Sequence, residues 1–68
     1  MQILITNHQL DHRTGTEIVV RDLERGLRLR GHRVCVYTQR PGVLSDEIIT
    51  AGGTVVTELD QVPFIPDV

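Results

Sequence analysis

The 68-residue chain has no lysine, a single cysteine and no surplus of positive charge. Without lysine it cannot form the phosphate-binding loop G-x-x-x-x-G-K-[ST]. Its formal net charge of -2 excludes the strongly basic surface expected of a nucleic-acid-binding protein. Cys35 lies in an apolar run and has no partner for an intramolecular disulfide, so we expect a free thiol packed as a small core residue.

Long apolar segments are absent as well. No stretch approaches the roughly 20 apolar residues of a membrane span. The start of the chain carries neither a basic region nor a small-residue cleavage site, so it does not resemble a secretory signal. We expect a cytoplasmic protein without a membrane span. Peripheral membrane association of a longer protein that contains this chain is compatible with that expectation. At this length the chain forms at most one small domain, which buries only about 60% of its unfolded surface.

Short apolar segments alternate with amphipathic ones. Residues 2–6 are almost continuously Ile and Leu, which is typical of a strand covered on both faces of a parallel sheet. The other predicted elements are strands at 34–38 and 53–58 and helices from about 16 to 30 and 44 to 51. Right-handed connections between these elements predict an α/β fold with a three-stranded parallel sheet of order 3-2-1 and two helices.

The first helix has one predicted apolar face and one polar face. Spacings of three and four define the predicted sheet-facing side, which comprises Val19, Val20, Leu23, Gly26, Leu27 and Arg30. The polar face offers i,i+4 ion pairs, among them Glu24 with Arg28. Gly31 is predicted to end this helix as a left-handed C-cap, and Gly52 to end the second helix.

The segment from residue 7 to 15 is polar and longer than the usual connection of about 2–6 residues between a strand and a helix. Such connections lie at the carboxyl ends of parallel strands, where ligands bind. We therefore assign Asn7, His8, His12, Arg13 and Thr14 to a cleft loop that contacts substrate. The segment has no helical register to align its side chains, so we predict no metal site.

Gly15 differs from these residues because a glycine at a helix start exposes backbone. Its missing side chain leaves the N–H groups of Gly15 and Thr16 accessible at the positive end of the helix dipole. A phosphate or another anion is the ligand that such a position favours.

The sequence also lacks the patterns of two other α/β protein classes. A dinucleotide site needs G-x-G-x-x-G and an acid near the end of strand two, whereas this chain has one glycine in the loop and ends the strand with Tyr37-Thr38-Gln39. A response regulator needs acidic residues directly after strand one, where Asn7-His8-Gln9 is neutral. A small non-enzymatic α/β module for anion binding or interaction stays open, as does a fragment of a nucleotide-cofactor oxidoreductase.

Several segments, at characteristic distances along the chain, resemble those of a known family. The main ones are Ile3-Leu4-Ile5-Thr6, Gly15-Thr16-Glu17, Arg30-Gly31-His32-Arg33 and Pro66-Asp67-Val68. With these segments, over essentially its whole length, the chain resembles the start of GT-B fold glycosyltransferases of the large retaining family called family 4 or group 1. That family usually has two glycines before the glutamate, and this chain has Thr14 in the first of those places.

The resemblance implies a division of labour between two domains. The first domain mainly holds the acceptor and the second holds the nucleotide-diphosphate sugar, while the glycine loop reaches the donor phosphates. It therefore assigns donor-phosphate contact to Gly15 and Thr16. The family's catalytic histidine and glutamate pair have no counterpart here, so we expect no catalytic residue, no metal or cofactor, and no activity of the fragment alone.

The resemblance also implies that residues 1–68 are part of one Rossmann-like domain. Residues 59–68 would lead into a missing fourth strand beside strand one. Strand one would then be an open apolar edge, and such edges recruit another chain. We accordingly expect a homodimer formed through that edge.

Overall fold

The computed structural model describes residues 1–10 and 15–68, in which strands and helices alternate along the chain. In chain order the elements are β1 (Gln2–Gln9), α1 (Gly15–Leu29), β2 (Arg33–Arg40), α2 (Val43–Thr50), β3 (Thr54–Val56) and a short 3-10 helix (Leu59–Gln61). β2 pairs in parallel with β1 on one side and with β3 on the other. The predicted α/β fold, with three parallel strands in the order 3-2-1 and two helices, is confirmed.

β1 and β2 are both longer than the sequence predicted. Their ladder runs from Gln2 opposite Arg33, through Asn7 opposite Thr38, to Gln9 opposite Arg40. The prediction ended both strands where the side chains become polar. The ladder consists of backbone hydrogen bonds, which do not require apolar side chains, so pairing continues past that point. β3, in contrast, is limited to Thr54–Val56.

Both helices end at the predicted glycines. Gly31 has a φ of 90°, and its N–H donates to the carbonyl of Arg28 at 3.1 Å. The N–H of His32 donates to the carbonyl of Leu27 at 3.2 Å, which completes a Schellman motif. Gly52 ends α2 in the same way, with a φ of 100°. Positive φ values are strained for other residues, so glycine is the natural residue at both ends.

The buried side of α1 matches the predicted one at Val20 and, in part, at Leu27, but not elsewhere. Its buried residues are Glu17, Val20 and Glu24, whereas the side chains of Val19 and Leu23 are 62% and 49% exposed. The prediction considered only the sheet as a partner. α1 also packs against α2, and the side of the helix that faces both partners is the one that becomes buried.

Glu24 forms the predicted ion pair with Arg28, but in the interior of the protein. The Glu24 side chain is 1% exposed, and Arg28 Nε donates to its Oε2 at 2.9 Å. A Cβ built on Gly53 would lie only 2.7 Å from that Oε2 and 2.6 Å from Cγ2 of Ile48. The absence of a side chain at Gly53 therefore lets α1 approach the turn between α2 and β3.

The core lies between the two helices and the sheet. Its buried members are Leu10, Val20, Val36, Leu44 and Ile48. Leu10 falls in the segment that was predicted to be a polar loop. Its N–H donates to the carbonyl of Arg40 at 2.7 Å, and its carbonyl accepts from the N–H of Leu44 at 3.1 Å. This one residue thus joins the ends of β1 and β2 to the start of α2.

The C-terminal segment returns to the outer edge of β1. Val68 donates its N–H to the carbonyl of Gln2 at 3.3 Å and accepts from the N–H of Leu4 at 2.9 Å. One residue bonded to two partners that are two positions apart is the pattern of a parallel pair. The edge that was expected to be open is therefore occupied at Gln2 and Leu4. The homodimer through this edge stays a prediction, and it would have to displace the segment there.

Substituting Gly53 tests the close approach of α1. Gly53→Ala should lower the free energy of unfolding by about 1–3 kcal/mol, because the new Cβ overlaps Glu24 and Ile48. Gly26→Ala is the matched control, since a Cβ at that helical position meets no described atom within 4 Å. It should raise stability by up to about 1 kcal/mol. Urea unfolding followed by circular dichroism measures both, and equal effects would contradict the packing described.

Cys35 is fully buried, as predicted, and burial raises the pKa of its thiol above the ordinary value of 9.0. The folded chain therefore holds the thiol protonated at a pH where the unfolded chain ionises it. The protonated, buried thiol stabilises the fold fully below pH 9.0, the pKa of the unfolded chain. This stabilisation decreases as the pH rises above 9.0 and is lost through the higher pKa of the folded chain. The stability difference between wild type and Cys35→Ala should shrink over that range in urea titrations. A difference independent of pH would contradict this expectation.

Candidate functional site

One edge of the sheet collects the carboxyl ends of β1 and β2 and the amino ends of both helices. β1 ends at Gln9 and β2 at Arg40, while α1 begins at Gly15 and α2 at Val43. The bonds of Leu10 hold three of these ends together. In parallel α/β sheets this edge forms the ligand crevice. The proposed site residues that the structure describes, Asn7, His8, Gly15 and Thr16, belong to segments at this edge, so it is the candidate site.

Gly15 and Thr16 are the first two residues of α1, and both are exposed. The first N–H groups of an α-helix have no partner within the helix and lie at its positive end. A Cβ built on Gly15 meets no described atom within 4 Å. Packing within the described part of the chain therefore does not require a glycine here, and no described residue occupies the space beside its backbone.

Asn7 and His8 are not in a loop, which corrects the prediction for both. They belong to β1, where Asn7 pairs with Thr38 and is half-buried, while His8 is exposed. Strand pairing with β2 extends through these polar residues, so the connection to α1 begins later than expected. His12, Arg13 and Thr14 lie outside the described residues. Their assignment to a cleft loop therefore stays a prediction.

Thr38 is a structural residue of this edge that the prediction overlooked. It is fully buried, and its Oγ1 donates to the carbonyl of His8 at 3.2 Å and accepts from the N–H of Arg40 at 3.2 Å. Thr38 thereby ties the end of β1 to the end of β2. The only signal in the sequence was a hydroxyl residue at the close of an apolar strand.

Glu17 and Ser45 also shape the edge, each in the first turn of a helix. Glu17 is buried. Ser45 is buried too and caps the start of α2 with its hydroxyl. Its Oγ accepts from the N–H of Gly42 at 2.6 Å and donates to the carbonyl of Gly42 at 2.8 Å. These bonds fix the entry of the chain into α2.

A groove of about 580 Å³ lies away from this edge, between α1 and α2. Its walls carry both signs of charge. Arg21, for example, lies 3.2 Å from an oxygen of Asp22 and 3.7 Å from an oxygen of Glu47. Because these charges compensate one another, the groove does not select a ligand of either sign.

The chemistry available at the sheet edge is hydrogen bonding to an anion. Backbone N–H groups of Gly15 and Thr16, the Thr16 hydroxyl and the exposed imidazole of His8 are its polar groups. Within residues 1–10 and 15–68, no cluster of three or more His, Cys, Asp or Glu side chains could hold a metal ion. The same residues contain no helix with the length and apolarity needed to cross a bilayer.

Comparison of the chain with models of known protein families, with curated proteins and with solved structures gave no match.

Removing the Thr38 hydroxyl tests its role at the edge. Thr38→Val should lower the free energy of unfolding by about 1–2 kcal/mol, because two partly buried backbone groups lose their hydrogen bonds to the buried hydroxyl. The matched control is Thr6→Val on β1, where the side chain is exposed, and it should change stability by less than about 0.5 kcal/mol. Chemical denaturation measures both variants. Equal stability of the two would show that the Thr38 bonds are not needed.

Proposed function

We propose that the chain is the N-terminal part of a GT-B glycosyltransferase of the retaining family 4 type. The topology supports this proposal. Three parallel strands follow one another in space in the order 3-2-1, and Val68 pairs on the free side of β1. A strand at that position would give the order 3-2-1-4, in which the direction of winding reverses at β1 as it does in a Rossmann-like domain.

The open space at Gly15 is the observation that carries the proposal furthest. At the start of a helix, glycine supplies no side-chain cap for the first N–H groups, as Ser, Asp or Asn would. No described atom comes close enough to require glycine at this position. A ligand that approaches the backbone would require it, and the positive end of α1 favours a negatively charged one. The diphosphate of an activated sugar meets both conditions.

In this proposal the chain supplies one side of a two-domain active site. Gly15 and Thr16 bind the donor diphosphate through their N–H groups, and the exposed His8 faces the acceptor cleft together with the segment that follows β1. Transfer of the sugar from its nucleotide diphosphate needs the second domain, which holds the nucleotide. The parent enzyme acts without a metal ion, and the chain alone has no catalytic residue and is inactive.

Titration with pyrophosphate and with uridine diphosphate tests the proposed phosphate contact. In the ¹⁵N-labelled chain, the amide signals of Gly15 and Thr16 should shift in a saturable way. Gly15→Ala should weaken binding about tenfold, because its Cβ enters the space that the ligand needs. Gly26→Ala is the control, since it makes the same change in the same helix, also in open space. It should leave the affinity unchanged.

The possible outcomes test the phosphate site and the glycosyltransferase assignment separately. Equal binding by both glycine variants, or signals that shift elsewhere, would remove the phosphate site. Turnover of nucleotide sugars by the chain alone would contradict its predicted inactivity. If the gene continues past Val68 into a second domain with a pair of glutamates, the glycosyltransferase assignment gains support. A stop codon there, with phosphate binding intact, would instead favour the small non-enzymatic anion-binding module.

A further inference from the structure

A second cavity lies at the opposite end of the sheet, where β2 and β3 begin. Its volume is about 200 Å³. Three basic side chains line it, Arg28, His32 and Arg33, together with Thr54 and an apolar wall that contains Pro63 and Phe64. No acidic side chain is among the residues that line it. The charged side chains that line the cavity are therefore all basic, and of these Arg28 is paired with Glu24, which does not line it.

The guanidinium group of Arg28 is held in place by hydrogen bonds to Glu24. Its Nε and Nη2 donate to the two carboxylate oxygens of the buried Glu24, at 2.9 and 3.4 Å. Among the hydrogen bonds of the described residues, none uses its Nη1. Arg28 therefore enters the cavity as an oriented donor that loses little freedom when a ligand binds.

Arg33 is ordered by two contacts of its own. Its Nη1 donates to Oε1 of Gln2 at 3.0 Å, and its guanidinium carbon lies 5.0 Å from the centre of the Phe64 ring. Stacking on an aromatic ring leaves the edge of a guanidinium group accessible, and that edge is the part that binds oxyanions. Pro63 and Phe64 provide the apolar surface beside it.

Two of the carbonyls at the negative end of α1 already have hydrogen-bond donors. The carbonyls of Leu27 and Arg28 in its last turn already accept from the N–H groups of His32 and Gly31. The Nδ1 of His32 lies 3.2 Å from the amino group of Met1. If Nδ1 is the acceptor in that contact, the proton of the neutral ring is on Nε2, which makes His32 a further donor.

From these contacts we propose that the cavity binds a phosphate-sized oxyanion, as a free ion or as the phosphoryl group of a small molecule. Two ordered guanidinium groups, an imidazole and the Thr54 hydroxyl provide donors on several sides of one small space. The site is separate from the one proposed at Gly15, which lies at the other end of the strands. It does not depend on the glycosyltransferase assignment.

Calorimetric titration with inorganic phosphate tests the site, with ionic strength held constant by exchange against chloride. Saturable binding is expected, with shifts of the His32, Arg33 and Thr54 amides in parallel spectra. Arg33→Gln should weaken binding about tenfold. The control is Arg25→Gln, which removes the same charge from an exposed arginine that lines only the groove between the helices. It should leave phosphate affinity unchanged.

Arg33→Lys separates geometry from charge, because it keeps the charge and removes the planar fork. Weaker binding by this variant supports a shaped site. Equal weakening by Arg25→Gln and Arg33→Gln, or a titration that never saturates, would overturn the proposal, since diffuse attraction to a basic surface would explain both. A phosphomonoester such as glycerol phosphate identifies the source. Tighter binding than inorganic phosphate indicates the phosphoryl group of a small molecule, and equal or weaker binding indicates the free ion.

Discussion

The contact between the Glu24 carboxylate and Gly53 determines how α1 lies on the rest of the chain. It brings a charged helix position into the interior, where Arg28 neutralises it, and it turns Val19 and Leu23 outward. The same orientation buries Glu17 and Val20 and directs Arg28 to the cavity at the other end of the helix. A buried ion pair contributes little net stability compared with apolar packing, but loss of one partner is costly. The position of α1 therefore depends on both members of the pair.

The sequence predicted those features that neighbouring residues determine. Gly31 and Gly52 indicated both helix ends, because a left-handed residue after a helix is a local requirement. The strand order followed from connection handedness. The exposed stripe on α1 could not be predicted, since the burial of one helix face depends on where α2 lies. The end of β1 was predicted wrongly for a similar reason. Asn7 and His8 extend the strand because the backbone of β2 pairs with it there. Leu10, one apolar residue in a polar segment, gave too weak a signal.

The candidate site was predicted in part for the same reasons. Gly15 and Thr16 start α1 and are exposed, and those properties follow from local sequence. Thr38 and Glu17, in contrast, became recognisable only when their burial was known. The two proposed anion sites also differ in kind. Backbone N–H groups would form the one at Gly15, which therefore depends on the absence of a side chain at that position. The cavity at Arg33 relies on guanidinium groups that other residues hold in position.

The pairing of Val68 with β1 has a consequence for the order of folding. The hydrogen-bonded residues Gln2 and Asp67 are 65 positions apart, so the pairing closes a loop that includes nearly every other element. Closure of so long a loop is entropically unfavourable until the intervening chain is compact. Pairing of β1 with β2 and β3 should therefore come first, and the outer edge of β1 should be covered last. Between these two steps the folding chain exposes an apolar strand edge, which makes that interval the one most open to aggregation.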